Sequence, residues 1–538
     1  MILLSGLLDV VFRALVFIGL ALSVGGIIFN YVILKPVEPR NPVSLSAIQR
    51  NTLLIVIGAF VIALSQIGAI LTDLSSLADQ TGSWPVSEFL STSFAHAGIL
   101  HTAFALCLGI AAIVLLKRPR SQVWWGLTVS FGALVIIGGA WLTHGASRLH
   151  NAGALMSVTV IHQLAAVAWI GGVMHLSAQW QLLRRQQKED IVWPRMLKHF
   201  SPMAVIAVAV LVGSGIYLSW NYIGSMVGLV GTAYGIMLLT KIILMGGGLL
   251  LGGINALTIR NWALCGDCGQ VLRRVPVFAQ AEAGIGATIL MAAAALTGQP
   301  PSVDVVNQQA TPAEVLHVFM PKKPQLTPAP YAKMLAHATS SLDIYSQPTY
   351  LEKIQSDFNH NISGIFVILL GIGALLHHTT KMKWTRHWPL LFIPFAGFLL
   401  TFAEPTGWPL GHEGFFNTLI APETLTHRLA TVLVLFFGFF QWRLVATDFG
   451  RTNWRYALPV IYVLGGAMLL THTHSIYADK RTYLIEASHN AIGILAIYMG
   501  AAGWVEQRLD GRERQISSSI WPICLILVGF VLLFYREL

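Results

Sequence analysis

Stretches of mostly apolar residues, each about 20 long, recur along almost the whole chain, and each can cross the hydrocarbon core of a bilayer as a helix. Fourteen such stretches can be counted. The first eight lie near 5–33, 51–73, 97–116, 123–143, 155–181, 198–219, 228–257 and 278–297. Six more lie near 360–378, 388–403, 424–442, 456–471, 483–505 and 518–535, the tenth interrupted by Pro389 and Pro394. Inside lipid the backbone must satisfy its own polar groups, so a run of this length reads as a helix. The expected fold is an all-α polytopic membrane protein. With 11% charged residues against 55% hydrophobic, the chain could not cover a water-facing surface, for which about 25% charged is usual.

The net charge of +10 does not indicate nucleic acid. Its Lys and Arg residues sit in short clusters between apolar stretches, as membrane topology requires. They follow the odd-numbered helices: Lys35, Arg40 and Arg50; Lys117, Arg118 and Arg120; Arg184 to Lys198; Arg260, Arg273 and Arg274; Lys381, Lys383 and Arg386; Arg443, Arg451 and Arg455; Arg508, Arg512 and Arg514. The opposite loops are poor in basic residues, 472–482 with Lys480 and Arg481 excepted. Both termini are therefore expected outside. The N-terminus lacks a basic leader region and reads as a retained first helix. Its Asp9 and Arg13, spaced i, i+4, can neutralise each other.

The Pro-, Gln-, Ser- and Thr-rich segment 299–358 divides the chain. It is expected to be an external arm, with short helices between Thr311 and His337, separating an eight-helix domain (1–298) from a six-helix domain (359–538).

Of eighteen histidines, thirteen fall toward the outer side and five, His175, His199, His377, His378 and His387, toward the inner side. Helix capping and headgroup contact explain the inner ones beside basic loops. They explain His162 and His489 poorly, because an ionisable group inside an apolar helix is costly and marks function. Imidazole suits copper, zinc, iron and nickel, or relays protons. His360-Asn361-Ile362-Ser363-Gly364-Ile365 and His489-Asn490-Ala491-Ile492-Gly493-Ile494 share the pattern His-Asn-x-x-Gly-Ile, as if one element had been duplicated. His427 opens the eleventh helix, and His472-Thr473-His474 closes the twelfth. Two groups are expected: His144 and His162 with His96 or His101 in the first domain, and His360, His427 and His489 with His472 or His474 in the second. Cys265 and Cys268, in the inner loop after the seventh helix, would supply two thiolates for a copper exit.

From the fourth to the eighth helix the sequence resembles the CopD/PcoD family of bacterial copper-resistance membrane proteins. The resemblance is carried by Thr143-His144-Gly145-Ala146, by His162-Gln163-Leu164-Ala165-Ala166-Val167-Ala168-Trp169-Ile170-Gly171-Gly172, and by His199-Phe200-Ser201. Gly215 to Trp220, Tyr234-Gly235, Lys241, Asn255, Glu282 and Leu296 to Pro301 continue it. It covers about 120–301. Around the third helix it weakens: an Arg expected there is absent, and His96 and His101 stand in the region instead. The resemblance implies copper handling at the inner membrane, described for the family as moving periplasmic copper inward, with His144 and His162 as the functional residues. Gly171, Gly172 and Gly246 to Gly248 are expected to let helices approach closely. Lys241 and Glu282 are expected to pair within the membrane.

The leading expectation is copper uptake, translocation or delivery, hence a transporter or metal-handling protein with no catalytic residues rather than an enzyme. Copper and lipid are its expected partners, with a periplasmic copper chaperone or a membrane cuproenzyme. The alternative is a redox protein holding haem b between His360, His427 and His489 and exchanging electrons with quinone or copper. A purely structural scaffold ranks third. No Walker A loop and no Cys-x-x-Cys-His motif occurs, which argues against ATP-driven transport and c-type haem.

Overall fold

A computed structural model describes all residues except 1, 38–41, 149, 188, 266–268, 338–348, 381, 405–406, 412–413, 420–421, 472–479 and 538. Among the described residues the secondary structure is helical, with no β-strand. The chain forms two compact units, Met1–Gln309 and Ala310–Leu469 with Lys480–Leu538.

The first unit contains α1 (Ile2–Phe29), α2 (Pro42–Thr81), α3 (Ser93–Lys117) and α4 (Gln122–Ala140). They are followed by α5 (Ala152–Arg185), α6 (Glu189–Ile223), α7 (Ala233–Cys265) and α8 (Val275–Thr297). Small residues set the closest packing, because apolar side chains gain little by leaving lipid for one another. A Cβ at Gly19 of α1 would lie 2.8 Å from the Gly58 carbonyl of α2, and one at Gly58 would lie 2.6 Å from the Gly19 carbonyl. Two π-helical turns interrupt this unit. Asn30–Leu34 continues α1, and Val167–Gly171 lies within α5. At the second, a Cβ on Gly171 would meet the Ala21 carbonyl at 2.2 Å, so α1 and α5 touch backbone to backbone. The expected pair on α1 forms, with Arg13 Nε 2.7 Å from Asp9 Oδ2.

The second unit contains α9 (Tyr350–Thr379), α10 (Phe392–Phe402), α11 (Pro422–Ala446), α12 (Ala457–Thr471), α13 (Lys480–Arg508) and α14 (Arg512–Leu533). Its core gathers Leu370, Trp388, Phe392, Met499, Trp521 and Val528.

Twelve helices among the described residues are long and apolar enough to cross a membrane. The other two expected spans correspond to α10 and α12, of 11 and 15 residues. α10 is continued on its N-terminal side by 3₁₀ turns, and the residues that follow α12 lie outside the described residues. Pro389 lies in the 3₁₀ segment Lys383–Leu391, which takes in the first four residues of the tenth stretch.

The arm after α8 is divided. Ser302–Asp304 belongs to the first unit, where Asp304 pairs with Arg148 at 2.8 Å. The expected short helices are Pro312–Phe319, opened by a Thr311–Glu314 capping box, and Tyr331–His337. Both lie in the second unit, where Glu314 pairs with Lys480 and Lys322 with Asp357.

Candidate metal-handling histidines

His360 and His489 occupy equivalent positions on α9 and α13. The Nδ1 of each donates to the carbonyl one turn earlier, His360 to Ser356 at 2.9 Å and His489 to Ile485 at 3.1 Å. A carbonyl only accepts, so the proton sits on Nδ1 and the lone pair on Nε2. The ring centroids are 6.3 Å apart. Two metal–nitrogen bonds of about 2 Å plus the half-widths of two rings span about 6 Å, so one ion could bridge them. The Tyr535 ring stacks on His360 at 3.8 Å and lies 6.1 Å from His489.

His427 on α11 donates from Nδ1 to the Glu404 carboxylate, which Thr424 also supports at 3.0 Å. A carboxylate behind an imidazole is a common way to orient a metal ligand. His427 is also close enough to His360 to interact with it electrostatically. His472, His474 and His412 lie outside the described residues. His317 faces Arg536, its Nε2 2.8 Å from the guanidinium.

The duplicated motif differs at its asparagines. Asn361 caps the Leu532 and Tyr535 carbonyls at the end of α14 and accepts the Gln325 N–H at 2.7 Å. Asn490 is buried with both amide atoms unpartnered among the described residues. One turn on, a Cβ at Gly466 of α12 would meet the Gly493 carbonyl of α13 at 2.7 Å.

In the first unit the histidines look onto different neighbours. His101 is fully buried, and its Nδ1 donates to Gln66 Oε1 at 3.2 Å. Its Nε2 has no hydrogen-bond partner and faces Gly139, toward which the unpartnered Oε1 of Gln163 also points. His162, one residue earlier on α5, turns the other way. Its Nδ1 lies 3.0 Å from Ser214 Oγ, whose own proton goes to the Val210 carbonyl. Its Nε2 therefore carries the lone pair, and Lys241 is its charged neighbour. His144 sits in the loop after α4, its ring about 6 Å from Tyr222 and Tyr234 and its Nε2 buried without a partner. Burial, with Arg13 and Arg148 nearby, holds its pKa below the usual imidazole value, so it is neutral and able to bind metal at neutral pH. His96 is exposed in the first turn of α3. Among the described residues no three or more His, Cys, Asp or Glu side chains gather as a metal site. Cys268 lies outside the described residues, and of Cys265 only the backbone is described.

Glu282 does not take Lys241 as its hydrogen-bond partner. Its Oε1 accepts from the Trp169 indole at 2.8 Å, beside a cavity of about 200 Å³ that Ser201, Gly252 and Asn255 also line. The second unit repeats this arrangement, with Trp521 donating to Glu506 at 2.6 Å and His378 3.6 Å away. Neither Trp–Glu pair is legible in sequence, since each joins helices whose facing is set by packing.

Residues 4–154 match the family profile described as copper resistance protein D-like, N-terminal domain, and residues 194–296 match copper resistance protein D. Both profiles are of copper resistance protein D type, and the two matches fall within the first unit. With its apolar spans, the chain is a multi-pass protein of the bacterial inner membrane. The copper transport protein CutJ of Bacillus subtilis (strain 168) is 30% identical to it over 220 residues. That match takes in 39% of this chain and 38% of CutJ. No solved structure matches. The family profiles end before the second unit, so His360, His427 and His489 stand outside them.

Proposed function

We propose that this chain acts as a copper resistance protein D-type transporter, taking copper from the periplasmic face and passing it inward through histidines in both units. The observation that carries this reading is a shared ring geometry. His101, His162, His360 and His489 each commit Nδ1 to a protein oxygen, which leaves Nε2 as the electron-pair donor a metal needs. In the second unit, His360 and His489 form a two-imidazole site shielded by Tyr535, with His427 held by Glu404 beside it. In the first unit, His101, His144 and His162 are successive stations rather than one cage. A periplasmic chaperone would deliver the ion, and Cys265 with Cys268 would receive it at the exit.

Copper content of the purified protein, measured together with copper uptake into proteoliposomes, tests this. His489→Ala should remove copper from the second unit and leave the first loaded, and His162→Ala should do the reverse. Unchanged copper content in both variants would exclude these histidines as ligands.

A further inference from the structure

Three polar side chains in the half of the first unit nearest Arg50, Arg184 and Arg185 have no part in that reading. His175 and Gln179 stand one turn apart on α5 and share a face. Ala47, Asn51 and Ile55 keep the same spacing on α2. His175, Gln179 and Asn51 are each fully buried. Each spends its donor on a backbone carbonyl at 2.9 Å: His175 Nε2 on Leu22, Gln179 Nε2 on Ala47, and Asn51 Nδ2 on Gly26.

The three contacts interlock. Gly26, whose carbonyl receives Asn51, is also the residue against which the His175 ring lies, and a Cβ there would be 2.7 Å from His175 Cε1. Ala47, whose carbonyl receives Gln179, stands one turn before Asn51. The three side chains therefore lie in one layer where α1, α2 and α5 meet. Phe29 stacks on the His175 ring at 5.6 Å and closes one side. The π-turn Val167–Gly171 lies just before the segment that carries His175, and such turns recur at functional sites.

With the donors committed, His175 Nδ1, Gln179 Oε1 and Asn51 Oδ1 remain, each buried and without a hydrogen-bond partner. All three are electron-pair donors to a ligand. Buried polar atoms are nearly always satisfied, so three orphans in one layer require an explanation. A cation held in this layer would supply it.

We propose that His175, Gln179 and Asn51 form a cation site at which a copper ion pauses on its way through the first unit. This deepens the copper-passage reading and rests on it. The imidazole supplies affinity for copper. The two amide oxygens complete the contact without a carboxylate or thiolate. The site is thus weak enough to release its ion, as conduction requires.

The test uses the full-length protein, with copper per chain measured on purified material and uptake measured in proteoliposomes. Asn51→Leu and Gln179→Leu remove the acceptors at similar volume. Uptake should fall about tenfold or more, the scale on which a weakened metal site loses affinity, while copper at the outer histidines is retained. Gln179→Glu should turn the station into a trap and raise bound copper by about one ion per chain, because a carboxylate adds charge to an imidazole site. That gain should vanish in the double variant His175→Ala/Gln179→Glu. Wild-type uptake by folded leucine variants would overturn the proposal, as would Gln179→Glu gaining no copper. If the leucine variants do not fold, Gln179→Glu decides. If the wild type shows no uptake, the passage reading fails, while the copper gain of Gln179→Glu still reports on the site.

Discussion

At the scale of single residues, a histidine's usefulness to a metal depends on which ring nitrogen is already spoken for. His360 and His489 were legible in the sequence because His-Asn-x-x-Gly-Ile occurs twice, and the i−4 carbonyl then fixes the same tautomer on both. Replacing either by Gln should weaken copper binding in the second unit about 10- to 100-fold, read by competition with a copper chelator. His144 allows a prediction in pH. Its folded pKa lies below the ordinary imidazole value of 6.5 because of burial. The folded state therefore favours the neutral ring. The stability this gives is present above pH 6.5 and lost as pH falls below it. Thermal unfolding of the wild type should lose more stability between pH 7.5 and 5 than that of His144→Gln, and parallel profiles would refute the assignment. His175, Gln179 and Asn51 escaped notice as a group because buried amides carry no motif. Their meaning appears only when three helices place their carbonyl oxygens together.

At the scale of elements, the apolar runs were enough to give the helices, but not which glycines bring them together. Gly171 meets the Ala21 carbonyl and Gly172 the Phe200 ring, as expected of close-packing glycines, whereas Gly246 has nothing within 4 Å of its Cβ position. Facing is a tertiary property, and sequence alone could not separate these glycines. Gly171→Ala should cost about 1–3 kcal/mol of stability, the usual penalty of overpacking. Gly246→Ala should be neutral or slightly stabilising, since Ala is the better helix former. Unfolding in mixed detergent would compare the two, and equal effects would contradict the packing of α1 on α5. The same limit explains Lys241 and Glu282. Opposite charges on neighbouring helices suggested a pair, but Glu282 turns toward Trp169 and Lys241 lies by His162.

At the scale of the whole molecule, the direction of any passage depends on which face the basic loops occupy. By the positive-inside rule, Lys117, Arg118 and Arg120 after α3, Arg184 and Arg185 at the end of α5, and Arg273 and Arg274 before α8 are expected to mark the cytoplasmic face of the first unit. Asn51 follows Arg50 at that face. His175 and Gln179 lie within about three turns of Arg184 and Arg185, which places the proposed station at the exit end. His144, in the loop after α4, then lies at the periplasmic end, so an ion moving from His144 toward His175 moves inward. A reporter fused after Arg120 or Arg274 should therefore read cytoplasmic, and one placed within 302–350 should read periplasmic. If the readings were reversed, the histidines would keep their partners and ring geometry while the order of stations along the membrane normal was inverted. The same site chemistry would then describe export, and copper should leave right-side-out vesicles rather than enter them.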